Sequence, residues 1–390
     1  MKISLKKYLL FSSVFAIFTE EFFFKYIIDW KLLYLIILVN YIILIRIKKL
    51  KFNLYFLAII CFFLVHGLIT YSIISIPYNY MFSQILGITI VGTYFYNFIP
   101  LYTKEEITKA YTVLCLIIAL LGYYLYYLNI NTLDFRLRSI FREPAHYAIV
   151  VIPACYYYFK EKKYIPFFII FGTIVLSNST LGYVGCALMV IIPNLTIKRI
   201  GYLMAFIPLV LIVFITMYKE LPFFKMRVDD TYESLNVINT GKFKETTNLS
   251  SYVMIANIFS AKNNISEHPL GSGIGSHHYM HTETYIPQMR PPNYLRIQNR
   301  HTDNSFDANS LFTRIVSEFG FLGIAFVLLM LLLAAPCFSY KELYLAQGVY
   351  IYFLLKLFRD GHYFPPEFFF FIWLFYYSLK QSRAQQKLAH

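Results

Sequence analysis

Twelve apolar runs, each near the length that crosses a bilayer, divide this chain: about 8–24, 30–46, 54–73, 80–100, 107–128, 144–159, 164–177, 181–195, 201–217, 316–337, 342–358 and 364–379. Such a series leaves little choice of fold, because backbone groups in hydrocarbon must be satisfied within the segment. The expected class is all-α, a polytopic transmembrane helical bundle. Composition agrees: 58% of the 390 residues are hydrophobic, 14% are charged and mean hydropathy is +0.55, outside the range of a soluble domain. The opening "MKISLKKYLLFSSVFAIFT" has the basic start of a signal peptide but no small-x-small cleavage site. It reads as a retained first span.

Charge sets the topology. "LSNSTLGY" interrupts residues 164–195. If it is a turn between two helices, the inside segments carry eighteen Lys and Arg against Glu105, Glu106, Glu161 and Glu342. That excess equals the whole net charge of +14 and leaves the remainder neutral, as the positive-inside rule requires. A single helix would push Lys198 and Arg199 outside. The expectation is therefore about 12 spans with both termini cytoplasmic; in a bacterial inner (cytoplasmic) membrane the outside would be the periplasm.

Between about 218 and 310 hydrophobicity collapses and Gly, Pro, Asn, His and charge appear. Three regions follow: 1–217 with spans one to nine, 218–310 as one large periplasmic loop, and 311–390 with spans ten to twelve and a cytoplasmic tail. Within the loop, 249–262 has the periodicity of a short helix on or near the membrane surface. Glycines at 271, 273 and 275 in "EHPLGSGIGSHHYMHTETY" permit tight turns and expose N–H groups, as anion-binding nests do. No strand-helix-strand setting surrounds them, so a dinucleotide site is not supported.

Three clusters put arginine at the outer face. Arg136, Arg138 and Arg142 precede span six in "DFRLRSIFREPAHY". Arg290, Arg296 and Arg300, with His301 and Asp303, close the large loop, and Arg314 lies four residues before Glu318. Arg359, Asp360 and His362 fill the last outside loop. The planar arginine fork suits phosphate, whereas the inside loops favour Lys. The alternative is structural ion pairing, Arg142 with Glu143 or Arg314 with Glu318. Pro144 suits the first turn of span six and Asn309 or Ser310 can cap the helix of span ten, so two helix starts favouring anions face the periplasm. Arg142, Glu143 and His146 then flank the first of them.

Other classes fall away. No basic stripe in a groove-reading or base-stacking context is present, so the basic pI does not indicate nucleic acid. Cys61, Cys115, Cys155, Cys186 and Cys337 all fall in apolar runs and form no CxxC pattern, which leaves buried thiols. His277, His278 and His281 lack an HExxH context or a defined third ligand, so no metal is expected.

"SEHPLGSGIGS" followed by "ANSLFTRIVSEFGFLGIAFVLL" resembles the end of the periplasmic loop and the next span in the O-antigen polymerase and O-antigen ligase superfamily. "FREPAHYA" resembles the Glu-Pro element of polymerase members, "LSNSTLGYVG" their polar break and "RDGHYFPP" their late Arg-x-Gly motif. Ligases carry His nine residues and one polar position before the Gly at 320; here Asn309 and Ser310 stand there, a departure that favours the polymerase branch. The resemblance implies a glycosyltransferase without metal or cofactor, joining undecaprenyl-diphosphate-linked oligosaccharide repeat units into a surface polysaccharide. Its partners would be those lipid-linked oligosaccharides, membrane lipids and a polysaccharide chain-length regulator. The diphosphate and glycan would be held by Arg136, Arg138, Arg142, His146, Arg290, Arg300, Asn309, Arg314 and Arg359. The base candidates are His301 and Asp303, with Glu143 third. The competing readings are a ligase that passes glycan to lipid A core and a flippase without chemistry, the latter expected to spread charge through the depth of its helices.

Overall fold

The computed structural model describes residues 4–19, 23–26, 28–130, 132, 135–195, 211–212, 214–216, 218–220 and 222–389. The expected ninth span lies largely outside them. The remaining expected runs fall on α1 (Leu5–Ala16), α2 (Leu32–Ile47), α3 (Leu54–Ile74), α4 (Asn79–Phe98), α5 (Lys104–Tyr127), α6 (Pro144–Lys160), α7 (Tyr164–Leu176) and α8 (Thr180–Ile191). The polar segment and the C-terminal part supply α9 (Pro222–Leu235), α10 (Leu249–Glu267), α11 (Leu311–Ala334), α12 (Tyr344–Phe358) and α13 (Pro366–Ala389).

Among the described residues, four stretches are long and apolar enough to cross a membrane: Leu54–Ile74, Asn79–Leu101, Lys104–Tyr127 and Leu311–Ser339. The apolar stretches Tyr34–Ile47, Tyr164–Leu176, Thr180–Asn194 and Tyr344–Phe358 are shorter, and α13 is long but less apolar. Helix α1 stops at Ala16 instead of running to residue 24, and an antiparallel hairpin pairs Phe23–Tyr26 with Ile28–Lys31, with Phe24 opposite Trp30. "LSNSTLGY" is indeed a turn: α7 ends at Leu176, Asn178 takes a left-handed φ of 43° and Ser179 caps α8.

The core is aromatic. Tyr94, Phe95 and Phe98 of α4, Tyr111 of α5, Tyr352 of α12 and Phe370 and Phe371 of α13 are all buried. Phe371 packs on Tyr352 at 4.6 Å and edge-on to Tyr111 at 5.5 Å, a geometry that ring quadrupoles favour. Pro153 interrupts α6, and a proline ring deprives the preceding turn of donors. Tyr111 donates to the neighbouring Val150 carbonyl at 2.6 Å, tying α5 to α6 at this point. Outward faces carry Leu57, Val65, Ile69 and Ile73 on α3 and Leu328, Leu329, Leu332 and Leu333 on α11, all exposed, as lipid contact requires.

Helix α10 corrects an expectation. It runs to Glu267 and buries Tyr252, Val253, Ile255, Ala256, Asn257, Phe259 and Ser260, with α11 as a main packing partner. The helix is longer than the expected stretch 249–262 and is enclosed by protein rather than presenting a free apolar face.

The glycine loop explains α11. Gly320 breaks that helix with φ 57° and ψ −138°, stranding backbone groups of its turn. Residues 268–276 dock into the break: Phe321 N donates to Pro269 O at 3.0 Å, Gly273 N to Glu318 O at 2.8 Å and Ser272 N to Ser317 O at 3.3 Å. A Cβ on Gly271 or Gly320 would run into this junction. Two of the N–H groups expected to face an anion, those of Gly271 and Gly273, are thus spent internally, with Gly271 N donating to His268 O at 2.7 Å.

Candidate active site at one rim of the bundle

The loop between α12 and α13 begins at residue 359. Lys356, in the final turn of α12, is fully buried, and its Nζ lies 2.5 Å from Oδ2 of Asp360. Asp360 adopts φ 60°, a left-handed conformation that few residues other than Gly, Asn and Asp tolerate. Its Oδ1 accepts from His362 N at 3.2 Å. Burial pulls the Asp360 carboxyl upward, but Lys356, His146 and His362 outweigh this and hold it below the ordinary carboxylate range. Those two histidines, one on α6 and one in the loop itself, are both half-buried.

Gly361 comes next, and a side chain there would strike the Asp307 carbonyl oxygen. This contact joins the loop to the turn before α11. Asp307 Oδ1 accepts from Asn309 N at 3.1 Å, Asn309 Oδ1 accepts from Asn304 Nδ2 at 3.2 Å, and Ser310 caps α11 by accepting from Thr313 N at 3.0 Å. On the other side Glu143, the N-cap of α6 with Pro144 in its first turn, pairs with Arg359 at 3.5 Å. The starts of α6 and α11 thus meet around residues 359–362.

Below them lies a buried polar knot. The Arg314 guanidinium donates from Nε to Glu318 Oε1 at 2.9 Å, from Nη1 to Gly361 O at 3.0 Å and from Nη2 to Gln84 Oε1 at 3.0 Å, and rests 4.1 Å from the Tyr363 ring centroid. Glu318 Oε2 accepts from Tyr363 at 2.7 Å. Every nitrogen of Arg314 serves the fold, and the Arg314 to Glu318 pair is the one that helical spacing suggests.

The remaining candidates divide. Arg136 Nε donates to Ser177 O at 3.2 Å, closing the end of α7, and Arg138 Nη1 donates to Arg142 O at 2.6 Å, shaping the loop before α6. Arg142 itself is exposed beside Glu143, while Glu143 pairs with Arg359. Arg290 and Arg300 are exposed on the large loop, and Arg300 pairs with Asp303 at 3.0 Å. His301 packs on α10, where Tyr252 donates to its carbonyl at 2.9 Å, and its Nδ1 is buried without a hydrogen-bond partner. The structure thus gathers Glu143, His146, Asn309 and Arg359 at one rim, with Arg142 beside it, and leaves Arg290, Arg300, His301 and Asp303 on the loop.

The histidines of residues 277–281 pack α10. His277 Nε2 donates to Asn257 Oδ1 at 3.0 Å, and His281 Nδ1 shares a 2.7 Å hydrogen bond with Ser260. Burial drives the imidazole of His277 well below its ordinary range and that of His281 down to about 3. His278 bonds Ser305 at 2.8 Å and stacks on Phe306 at 3.6 Å. Among the described residues, the one trio of ligand atoms close enough to share an ion belongs to Asp307, Asp360 and His362, within 4.8 Å of one another. The Lys356 ammonium already neutralises Asp360 there, so the set fits a divalent cation poorly.

Lys356 carries the missed signal. It stands alone in the apolar "YIYFLLKLF", and an ionisable group at membrane depth deserves a named partner. A polar cleft of about 700 Å³ opens at the opposite end of the bundle, between Lys6, Thr103, Glu106, Glu342 and Gln385. It contains none of the arginine loops.

The O-antigen ligase family model matches residues 165–328, less than half of the chain. The matched part runs from α7 through the glycine loop into the kinked α11, and the loops at 136–143 and 356–363 lie outside it. No curated protein matches. The family match and the four apolar helices together support a multi-pass membrane protein similar, over residues 165–328, to the O-antigen ligase family.

Proposed function

We propose that this protein polymerises undecaprenyl-diphosphate-linked oligosaccharide repeat units into an O-antigen type of surface polysaccharide, at the periplasmic face of a bacterial inner membrane. The observation that carries this reading is the meeting of two helix N-termini, α6 and α11, around Arg359, with Arg142 exposed beside them. Helix starts and arginine forks favour phosphate. In the transfer, a sugar hydroxyl attacks the anomeric carbon of the donor and a lipid diphosphate departs. That leaving group needs charge stabilisation more than protonation. Arg359, steered by Glu143, and Arg142 supply it. Arg138 and Arg136 hold the loop in place, and Arg314 anchors Gly361 from beneath.

A second reading is favoured by the matched family itself, which is described as O-antigen ligase. Against it stands Asn309 at the position where the ligase pattern has histidine; its side chain is engaged by Asn304. A gel of surface glycolipid from a deletion strain decides. Loss of the ladder with one repeat unit still on the lipid A core supports polymerisation. Loss of that single unit as well, with lipid-linked polymer accumulating, supports ligation. Single lipid-linked units trapped on the cytoplasmic face would mean translocation without chemistry.

A further inference from the structure

A single aromatic residue breaks the polar run "RHTDNSFDANS". Phe306 is 61% exposed, yet it stands on a turn among hydroxyl, amide and carboxylate side chains and not on a lipid-facing helix. One side of its ring is covered: the His278 imidazole stacks on it at 3.6 Å with 14° between the planes. That imidazole is fixed in turn, since its Nδ1 shares a 2.8 Å hydrogen bond with Ser305 Oγ and the Tyr80 ring centroid lies 5.8 Å away. Phe306 therefore presents a flat apolar surface held in one orientation.

Hydrogen-bonding groups without partners border this surface. Among the described residues, neither His278 Nε2 nor the Tyr80 hydroxyl has a hydrogen-bond partner, and neither is sealed from solvent. Burial holds the His278 imidazole below its ordinary range, so at neutral pH it is uncharged and suits a neutral hydroxyl. Asp303 and Asp307 lie in the same turn and repel a phosphate. An exposed ring edged by a few free polar groups matches a sugar, whose C–H face packs on the π surface while its hydroxyls bond at the edge. A lipid tail would leave those polar groups unpaired. The turn also leads to the rim, because the carbonyl of Asp307, the next residue, packs against Gly361.

We propose that Phe306 is the platform of a glycan subsite, which takes a sugar ring of the lipid-linked oligosaccharide while the diphosphate lies at the rim, and that His278 and Tyr80 bond the hydroxyls of that ring. The choice of substrate rests on the glycan-transfer reading above.

The test titrates the purified full-length protein in detergent with a lipid-free oligosaccharide, one repeat unit long, cut from the surface polysaccharide of the same strain. Saturation transfer to the sugar protons reports contact, and the titration gives affinity. Truncating an aromatic anchor costs about tenfold or more in affinity, so Phe306→Ala should bind that much more weakly. Phe306→Leu, apolar but not flat, should lose nearly as much, and Phe306→Trp should bind at least as tightly as wild type. Tyr80→Phe removes only a hydroxyl and should weaken binding about two- to tenfold. Melting temperatures should stay at the wild-type value in the Phe306 variants, because that side chain is exposed. No transfer with the wild-type protein, or wild-type affinity in Phe306→Ala, Phe306→Leu or Tyr80→Phe, would overturn the subsite. These measurements read binding alone. Phe306-dependent binding in a protein whose deletion leaves the ladder intact keeps the subsite and ends the polymerase reading; binding indifferent to Phe306, with a ladder lost on deletion, does the reverse.

Discussion

The Pro269 carbonyl oxygen occupies the space that a side chain at Gly320 would need, and it accepts the Phe321 N–H at 3.0 Å in place of an intrahelical partner. The glycine loop and the kink of α11 are one unit as a result. Gly320→Ala meets both a steric clash and a positive φ of 57°, so it should destabilise the protein by about 2–4 kcal/mol. Thermal unfolding in detergent measures this, and a wild-type melting temperature would sink the account of the kink.

Arg314 and Glu318 are buried and paired at 2.9 Å. Removing one partner strands the other charge, at a cost of roughly 3–5 kcal/mol. Glu318→Leu is expected to lower the melting point strongly, and Glu318→Gln to do so less because Tyr363 keeps an acceptor. Equal and small effects would show that the knot carries little of the fold.

Arg142→Lys keeps the charge but loses the planar fork. Polymer should shorten or vanish while protein level stays normal. The same substitution at Arg359 should act similarly and also release Glu143, now 3.5 Å away. Unchanged ladders in both variants would remove these arginines from diphosphate binding.

Acid should loosen the unit around α10. His277 and His281 are buried neutral, with the imidazole of His281 held near 3 against an ordinary 6.5. The unfolded chain binds protons there before the folded one does. Their neutral burial therefore favours the fold fully above about pH 6.5, and that advantage is lost as pH falls toward 3, by up to about 1.4 kcal/mol per unit for each histidine. Melting temperature or protease resistance measured from pH 7.5 to 5 should fall, and His281→Gln should flatten the slope. A flat wild-type profile would contradict the burial.

A chelator should leave polymerisation in membrane vesicles intact, because Lys356 already supplies the positive charge at Asp360. Loss of activity restored by a divalent ion would instead assign Asp307, Asp360 and His362 to a metal.

The topology has its own check. A reporter fused at about residue 245 should behave as periplasmic, and cytoplasmic behaviour would undo the span order.

Much of this architecture is legible in the chain, because bilayer burial demands long apolar helices and leaves charge only where water is. The runs at 54–73, 80–100, 107–128 and 316–337 correspond to long helices, and the Ser177–Ser179 turn, the Pro144 helix start and the Ser310 cap stand where local chemistry puts them. Those are short-range rules, satisfied within a few residues. What the glycines are for is a different matter: Gly271, Gly273 and Gly320 look like loop and helix glycines until Pro269 and Glu318 are brought together across some fifty residues of chain. The same holds for the arginines, since residue type cannot say that Arg314 is consumed by Glu318, Gly361 and Gln84 while Arg142 stays exposed. Asp360 and Lys356 stand four residues apart in sequence, but only the left-handed turn after α12 and the fold around it bury that pair. Sequence determines which groups are too costly to leave alone in a membrane; tertiary packing decides which partner satisfies each one, because that depends on distances no local pattern encodes.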